Sequence, residues 1–277
     1  MTRQRSRAWI AGLIAIVVST VVFLVPFAFV LLQAAKTPAE ASNLAFSWPT
    51  NFQFVQNFWD TLTSNDGVIW RAIINSTVLT VFSVAIMVVL SAMAGYVLSR
   101  KKSKWGPLVN FFVLAGLIVP PAVVPTIWVL QGLKLFGTLP GMILVEATFG
   151  LSFCILLFRS FIGNIPRELD EAAVLDGAGP IRLFFKVVLP LLRPVVVTVI
   201  VVQSVFVFND FAGPLYFLPG DQNVTVQLAL FTFSGQNLSF YNLLFMAIFL
   251  ITLPPLIAYI FFNRQIVAGM TSGAVKG

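Results

Sequence analysis

Six long apolar runs constrain this chain more than any other feature. They cover about residues 8–32, 72–98, 107–130, 140–158, 194–211 and 242–262. A helix needs about 20 mostly apolar residues to cross a bilayer. The runs do not alternate with period two, which argues against an outer-membrane barrel. Of the 277 residues, 58% are hydrophobic and only 10% are charged. A soluble domain carries about 25% charged residues. No soluble fold of this size could hide 28 Phe and the remaining apolar surface, so the solvent for most of the chain is lipid.

Charge sets the expected direction. With the N-terminus in the cytoplasm, all but three of the 17 Lys and Arg residues fall inside. The exceptions are Lys36, Arg71 and Lys134. The reverse orientation would violate the positive-inside rule. Six spans also return the C-terminus to the cytoplasm. The net charge of +7 therefore reflects topology and does not point to nucleic acid, for which no soluble basic face exists. Arg3, Arg5 and Arg7 precede the first run in the manner of a signal peptide, but the run exceeds the about 7–15 apolar residues of a signal. It reads as a permanent anchor. The expected architecture is all-α: one transmembrane domain over residues 1–277, with a cytoplasmic loop at 159–193.

Several chemistries are excluded or weakened. There is no His, which removes the commonest metal ligand and general base, and no metal site is expected. The single Cys154 cannot form an intramolecular disulfide. No GxxxxGK[ST] loop is present, so the chain has no phosphate cradle of its own.

Prolines punctuate the spans. Pro120, Pro121 and Pro125 interrupt the third, Pro254 and Pro255 the sixth, and Pro26 the first. Each removes a backbone donor. Two readings fit: kinks for packing, or a hinge or pathway wall where freed groups meet neighbours or water. Ser91 and Gly95 form a small-xxx-small pair that allows close helix approach. Phe52 to Trp59, outside the membrane, suits an interfacial helix.

The loop 159–193 holds a short helix, a turn and a second helix. Asn164 is the expected N-cap, with Pro166 in the first turn. Glu168, Asp170 and Glu171 complement the helix N-terminus. Gly177 and Gly179 end it, and Pro180 opens the next helix. Leu169, Ala172, Ala173 and Asp176 are spaced to share one face. A helix of about twelve residues is marginal alone in water, so it is expected to dock.

These residues resemble a known family. Glu171-Ala-Ala-Val-Leu-Asp-Gly177, followed by Leu189-Pro-Leu-Leu-Arg-Pro194, resembles the EAA loop of ABC importer permeases: EAA, three residues, Gly, then a downstream Leu-Pro. Asn75-Ser76, Gly95-Tyr96-Val-Leu-Ser-Arg100, Ile165-Pro-Arg-Glu-Leu-Asp170 and Phe208-Asn209-Asp210-Phe211 also match family motifs. The ending, Gly269 to Gly277, is similar to the tail of maltose-type carbohydrate permeases of the shorter-subunit class. The resemblance covers about 71–277. The chain departs from the pattern at Asp210, where Glu is common, at Phe208 in place of Trp, and in the doubled Pro120-Pro121.

The resemblance implies a type I importer permease fold in a bacterial or archaeal plasma membrane. It implies a second homologous permease subunit, a dimer of ATPase subunits inside, and an extracytoplasmic solute-binding protein. The chain itself would be no enzyme and would bind no cofactor, with ATP and Mg held by the ATPase partners. Glu171 would dock with the ATPase. Leu169, Ala172, Ala173, Asp176 and Gly177 would shape the coupling helix. The tail residues Gly273, Ala274, Val275, Lys276 and Gly277 would also reach the ATPase pair, and residues 221–240 would meet the binding protein. The resemblance implies that a sugar, a di- or oligosaccharide, would move inward by alternating access. A sugar pathway needs hydrogen bonds and aromatic surfaces, for which the spans offer Gln203, Asn209 and many Phe. Asp210 and Glu146 are the intramembrane carboxylates, and such groups are functional candidates by default. Glu146 fits a packing role equally well. The same family layout serves glycerol phosphate and polyols. An ion-coupled secondary transporter would be expected to bring more buried ionisable groups and an internal repeat.

Overall fold

The structure, a computed structural model, describes residues 2–101, 103–236 and 240–274, with side chains for 12–101, 103–235 and 240–262. The described residues are helical or irregular, with no strand among them. Numbered in chain order, the helices are α1 (Thr2–Ala34), α2 (Pro38–Ala41), α3 (Phe54–Arg100), α4 (Gly106–Ile118), α5 (Val123–Gly132), α6 (Leu139–Ile162), α7 (Glu168–Leu175), α8 (Pro180–Leu183), α9 (Leu189–Leu191), α10 (Arg193–Phe208), α11 (Ala212–Phe217), α12 (Val226–Gln236) and α13 (Tyr241–Ala274). A π-helical turn, Phe184–Val188, joins α8 to α9.

Four of these helices are long and apolar enough to cross a membrane: α1 from Gly12, α3, α6 and α13 as far as Phe262. Two bent pairs pass the same test together. One is α4 with α5, bent by 115°, and the other is Pro180–Leu191 with α10, bent by 76°. The chain is thus a multi-pass membrane protein. The prolines act unequally. The helix breaks over Val119–Ala122 around Pro120 and Pro121, whereas α1 runs through Pro26 and α13 runs through Pro254 and Pro255. Two consecutive prolines followed by Pro125 remove three donors within six residues, more than one bent turn absorbs. The bend before α10 has a similar cause. Pro190 and Pro194 bracket it, and the Leu189 amide reaches five residues back to Phe184 in the wider π turn.

The chain divides into two compact units, Met1–Trp70 with Ala229–Leu253, and Arg71–Leu228 with Pro254–Gly277. The first is tied by polar side chains and stacked rings. Asn57 Nδ2 donates to the carbonyls of Ala34 and Lys36, each at 2.8 Å, and Asn242 Nδ2 donates to Asn57 Oδ1 at 2.8 Å. Phe29 meets Phe245 edge-on at 5.5 Å, and Phe54 meets Phe249 at 5.7 Å. Asn65, Asp66 and Gly67 interrupt α3 with positive φ, so its first segment, Phe54 to Thr63, is a separate turn-bounded helix. Val55 and Trp59 are exposed on that segment while Asn57 and Thr61 are buried. Gln56 and Asp60 are exposed beside them, so the open face mixes apolar and polar groups, as a helix at a membrane interface does. Nearby, hydrogen bonds from Thr50 hold the Glu40 carboxyl below the usual carboxylate range.

In the second unit α6 is the central helix, with α4, α10 and α11 packed against it. Its core joins Met87 and Ala92 of α3, Met142, Cys154, Phe158 and Ile162 of α6, and Val195 and Val199 of α10. Gly95 fits α3 closely onto α6. A Cβ there would lie 3.0 Å from both the Arg159 amide nitrogen and Phe158 Cβ. Gly95→Leu is expected to cost about 1–3 kcal/mol by overpacking, read as a lower thermal midpoint of the detergent-purified chain.

Candidate functional site

Two regions carry polar chemistry: the loop 159–193 and a cavity among α4, α6, α10 and α11.

In the loop, α7 covers Glu168–Leu175, eight residues, shorter than the twelve expected. Its N-cap is Arg167, which makes no side-chain capping bond. This corrects the assignment to Asn164, whose side chain instead donates back to the Ser160 carbonyl at 3.1 Å and so serves the end of α6. The displacement has a simple cause: α6 runs on to Ile162 and takes Asn164 into its closing turn. Pro166 accordingly precedes α7 and is not in its first turn. Glu168, Asp170 and Glu171 occupy that turn. Gly177 follows the helix with φ +78°, a left-handed value that suits glycine, and Pro180 opens α8.

The four residues expected on one face separate by burial. Ala173 packs against the core, whereas Leu169, Ala172 and Asp176 are exposed, as is Glu171. The inward residues of α7 are Asp170 and Ala173, one turn apart. Outward, Val174 and Leu175 of α7 and Ile181 of α8 form an apolar tip, with Leu175 88% exposed.

Asp170 tethers this helix. Arg100 Nε lies 2.8 Å from Asp170 Oδ2, an ion-pair contact without hydrogen-bond alignment at that nitrogen. Arg100 Nη2 donates to the Ile165 carbonyl at 3.0 Å. Tyr96 Oη donates to Asp170 Oδ2 at 3.4 Å, and Arg167 reaches the Ser99 carbonyl at 3.4 Å. The motif Gly95 to Arg100 therefore forms a clamp: the glycine seats α3 on α6, and the tyrosine and arginine hold α7. In sequence, Arg100 and Asp170 stand in two separate motifs, Gly95 to Arg100 and Ile165 to Asp170, with nothing to say that they meet. The available signal was that the two motifs end in residues of opposite charge on the same expected side of the membrane.

The cavity has a volume of about 1100 Å³. On α6, Met142, Glu146, Phe149, Gly150 and Phe153 follow helical spacing and line it. Val202, Gln203 and Phe206 line it from α10, Gly213, Tyr216 and Phe217 from α11, and residues 116–123 from the broken span. Small residues make room for the polar ones. A Cβ on Gly150 would meet Met87 Sδ at 2.5 Å and Gln203 Oε1 at 3.3 Å. Asp210 caps α11, accepting from the Ala212 amide at 3.1 Å and the Gly213 amide at 2.9 Å. A Cβ on Gly213 would collide with Asp210 Oδ2. Glu146 is buried, its Oε1 has no hydrogen-bond partner, and the Asp210 carboxyl is within interaction range.

The structure thus brings Glu146, Gln203 and Asp210 to one cavity. Asn209 does not line it; its Nδ2 donates to the Val205 carbonyl, and its Oδ1 accepts from Gln227 at 3.1 Å. Gly273 and Ala274 lie at the end of α13, where side chains are not described, and Val275, Lys276 and Gly277 lie outside the described residues. Asn75 and Ser76 pin the segment that enters α12: Asn75 donates to the Val224 carbonyl at 3.0 Å, and Ser76 Oγ accepts from the Val226 amide at 2.9 Å.

Comparison with known proteins identifies the family. Residues 87–272 match the family described as binding-protein-dependent transport system inner membrane component. The chain is 32% identical to the diacetylchitobiose uptake system permease protein NgcG of Streptomyces coelicolor, over 93% of this chain and 85% of that one. It is 28% identical to the melibiose/raffinose/stachyose import permease protein MelC of Bacillus subtilis, over 97% and 96%. A chain from the crystal structure of a bacterial ABC transporter involved in import of the acidic polysaccharide alginate superposes with a TM-score of 0.80 at 19% identity, covering 96% of this chain and 98% of that one. That last likeness is one of fold. The chain belongs to the binding-protein-dependent transport system inner membrane components, the permease family of ABC importers that its loop resembles.

Proposed function

We propose that this chain is one permease subunit of a carbohydrate importer that moves a di- or oligosaccharide inward by alternating access. It forms a single permease domain of six spans, counting each bent pair as one, with both termini in the cytoplasm. A second permease completes the pathway, a dimer of ATPases supplies ATP hydrolysis with its own Mg, and an extracytoplasmic binding protein delivers the sugar. The chain performs no chemistry on the sugar or on ATP.

One observation carries this reading. Helix α7 is clamped through Asp170 to Arg100 of a long apolar helix, while Leu175 and Ile181 stand exposed beyond it. A small helix with one face fixed to a span and an apolar tip left open is built to pass movement from a docked partner into the membrane. Glu171, Leu169, Ala172, Asp176 and Gly177 would meet the ATPase on that open side. The names of the two relatives support a short oligosaccharide as cargo. The cavity holding Glu146, Gln203 and Asp210 is the proposed pathway wall, with Asn209 at its margin.

Inside-out orientation and coupling are tested together. In proteoliposomes holding the complete assembly, ATP hydrolysis should rise when sugar-loaded binding protein is added, and labelled sugar should accumulate. Uptake driven by an ion gradient without ATP would replace this reading with a secondary transporter. Uptake of glycerol phosphate or a polyol alone would keep the importer and change the cargo. Truncation after Met270 is expected to leave the chain in the membrane while abolishing coupled hydrolysis; normal coupling in the truncated chain would remove the tail from the ATPase contact.

A further inference from the structure

We infer that the segment from Pro180 to Arg193 lies along the inner membrane surface and binds the headgroups of anionic phospholipids. The inference goes beyond cargo and coupling. Of the reading above it uses only the cytoplasmic placement of the loop.

Direction and depth come from the bend. Pro180–Leu191 meets α10 at 76°. Spanning helices tilt by about 20° on average, so a segment nearly perpendicular to α10 runs along the membrane surface and not away from it. The length of α10 sets the depth. Its 16 residues rise about 24 Å, against about 30 Å of hydrocarbon. Arg193, its first residue, therefore stands at the edge of the apolar layer, within reach of the headgroups.

The two faces of the segment differ. Leu183, Phe184, Val188 and Leu192 are buried in the core of their unit. The open face carries Arg182, Phe185, Lys186, Leu191 and Arg193. Phe185 is 44% exposed and Leu191 42%. No Asp or Glu occurs between Asp176 and Asp210, and among the described residues none of the three cations forms an ion pair. Water alone would suit the cations but not Phe185 and Leu191. A headgroup layer suits both. Its phosphates balance Arg and Lys, whose long stems lie along apolar neighbours, while Phe and Leu enter the acyl boundary. The cytoplasmic leaflet is anionic and attracts such cations. Helix α7 differs in charge: Glu168, Glu171 and Asp176 are exposed on it, and the same leaflet repels them. One half of the loop is thus held to lipid, and the other stays free for a protein partner.

The test reads lipid contact at the segment itself. In the assembly purified through a tag on this chain, Cys154 and the partners' cysteines are replaced by Ser, and bimane is attached through Phe185→Cys. The assembly is placed in nanodiscs of phosphatidylcholine that carry an equal minor fraction of brominated phosphatidylglycerol or brominated phosphatidylcholine. Bromine quenches only nearby bimane. Quenching by the anionic lipid should exceed that by the zwitterionic lipid by about threefold or more. Arg182→Gln, Lys186→Gln and Arg193→Gln combined should bring the ratio close to one. Lys186→Gln alone, at an exposed side chain, should lower it partway and serves if the triple variant does not assemble. Lys101→Gln with Lys104→Gln, exposed cations elsewhere on the same expected side, should leave it unchanged. Equal quenching by the two lipids, or a ratio that survives loss of all three cations, would overturn the inference. So would quenching by neither lipid, or quenching only after the ATPase subunits are stripped away, which would give the face to a protein partner. Uptake is not read, and a disc presents both leaflets alike. The outcome therefore stands whether or not the importer reading and the direction of the spans hold.

Discussion

Arg100→Ala is expected to reduce binding-protein-dependent uptake by more than tenfold while leaving the chain in the membrane. Arg100 does two things at once: it neutralises Asp170 at 2.8 Å, and it donates to the Ile165 carbonyl just before α7. The two side chains are 10% and 15% exposed, so the pair is largely withdrawn from water. Removing one member of a buried pair leaves the other uncompensated and costs about 3 kcal/mol or more. That cost falls on the joint between α7 and α3, because both Arg100 contacts lie there. Asp170→Asn retains a polar partner for Tyr96 and should lose less. Tyr96→Phe removes one long hydrogen bond of 3.4 Å and should cost about 1 kcal/mol or below. The order of loss, Arg100→Ala, then Asp170→Asn, then Tyr96→Phe, is the signature of a clamp. Uptake and ATPase stimulation measured in parallel check it. Hydrolysis that persists while uptake falls would mark lost transmission, whereas full uptake in Arg100→Ala would dismiss the clamp.

Glu171→Lys should abolish coupling by a different route. Glu171 lies in the first turn of α7 and is exposed, so the substitution leaves the internal packing of the chain untouched. Its cost is expected at the partner surface. A charge reversal within a docking contact costs about 2 kcal/mol or more, which lowers ATPase occupancy more than tenfold. The added cation also opposes the positive end of α7, so local helix loss must be separated from lost docking. Glu171→Gln serves that purpose, because it removes the charge with little helix penalty. Co-purification of ATPase with the tagged chain is the measurement. Retained ATPase in Glu171→Lys would place the docking contact elsewhere on the loop.

Much of the local structure was legible before folding was considered. The apolar runs announce lipid-crossing helices because no other fold satisfies their backbone in a bilayer. The loop 159–193 was legible for a similarly local reason: three acids open α7, Gly177 supplies the left-handed residue after it, and Pro180 starts α8. The errors were local competitions. Asn164 could serve either helix, and the length of α6 decided that it serves the earlier one. The prolines read alike in sequence, yet Pro26, Pro254 and Pro255 sit within continuous helices while Pro120 and Pro121 mark a 115° bend.

By itself the sequence determined the solvent, the helical class, the expected direction of the spans and the family, because each follows from composition or from neighbours within a few turns. The tertiary structure alone decided which distant groups meet. It joined Arg100 to Asp170, turned Ala173 inward and Leu175 outward, and brought Glu146, Gln203 and Asp210 to one wall while leaving Asn209 to Gln227. Those meetings depend on how closely whole helices approach. Gly95, Gly150 and Gly213 set that approach by what they lack, a Cβ whose absence matters only once the neighbouring helix is in place.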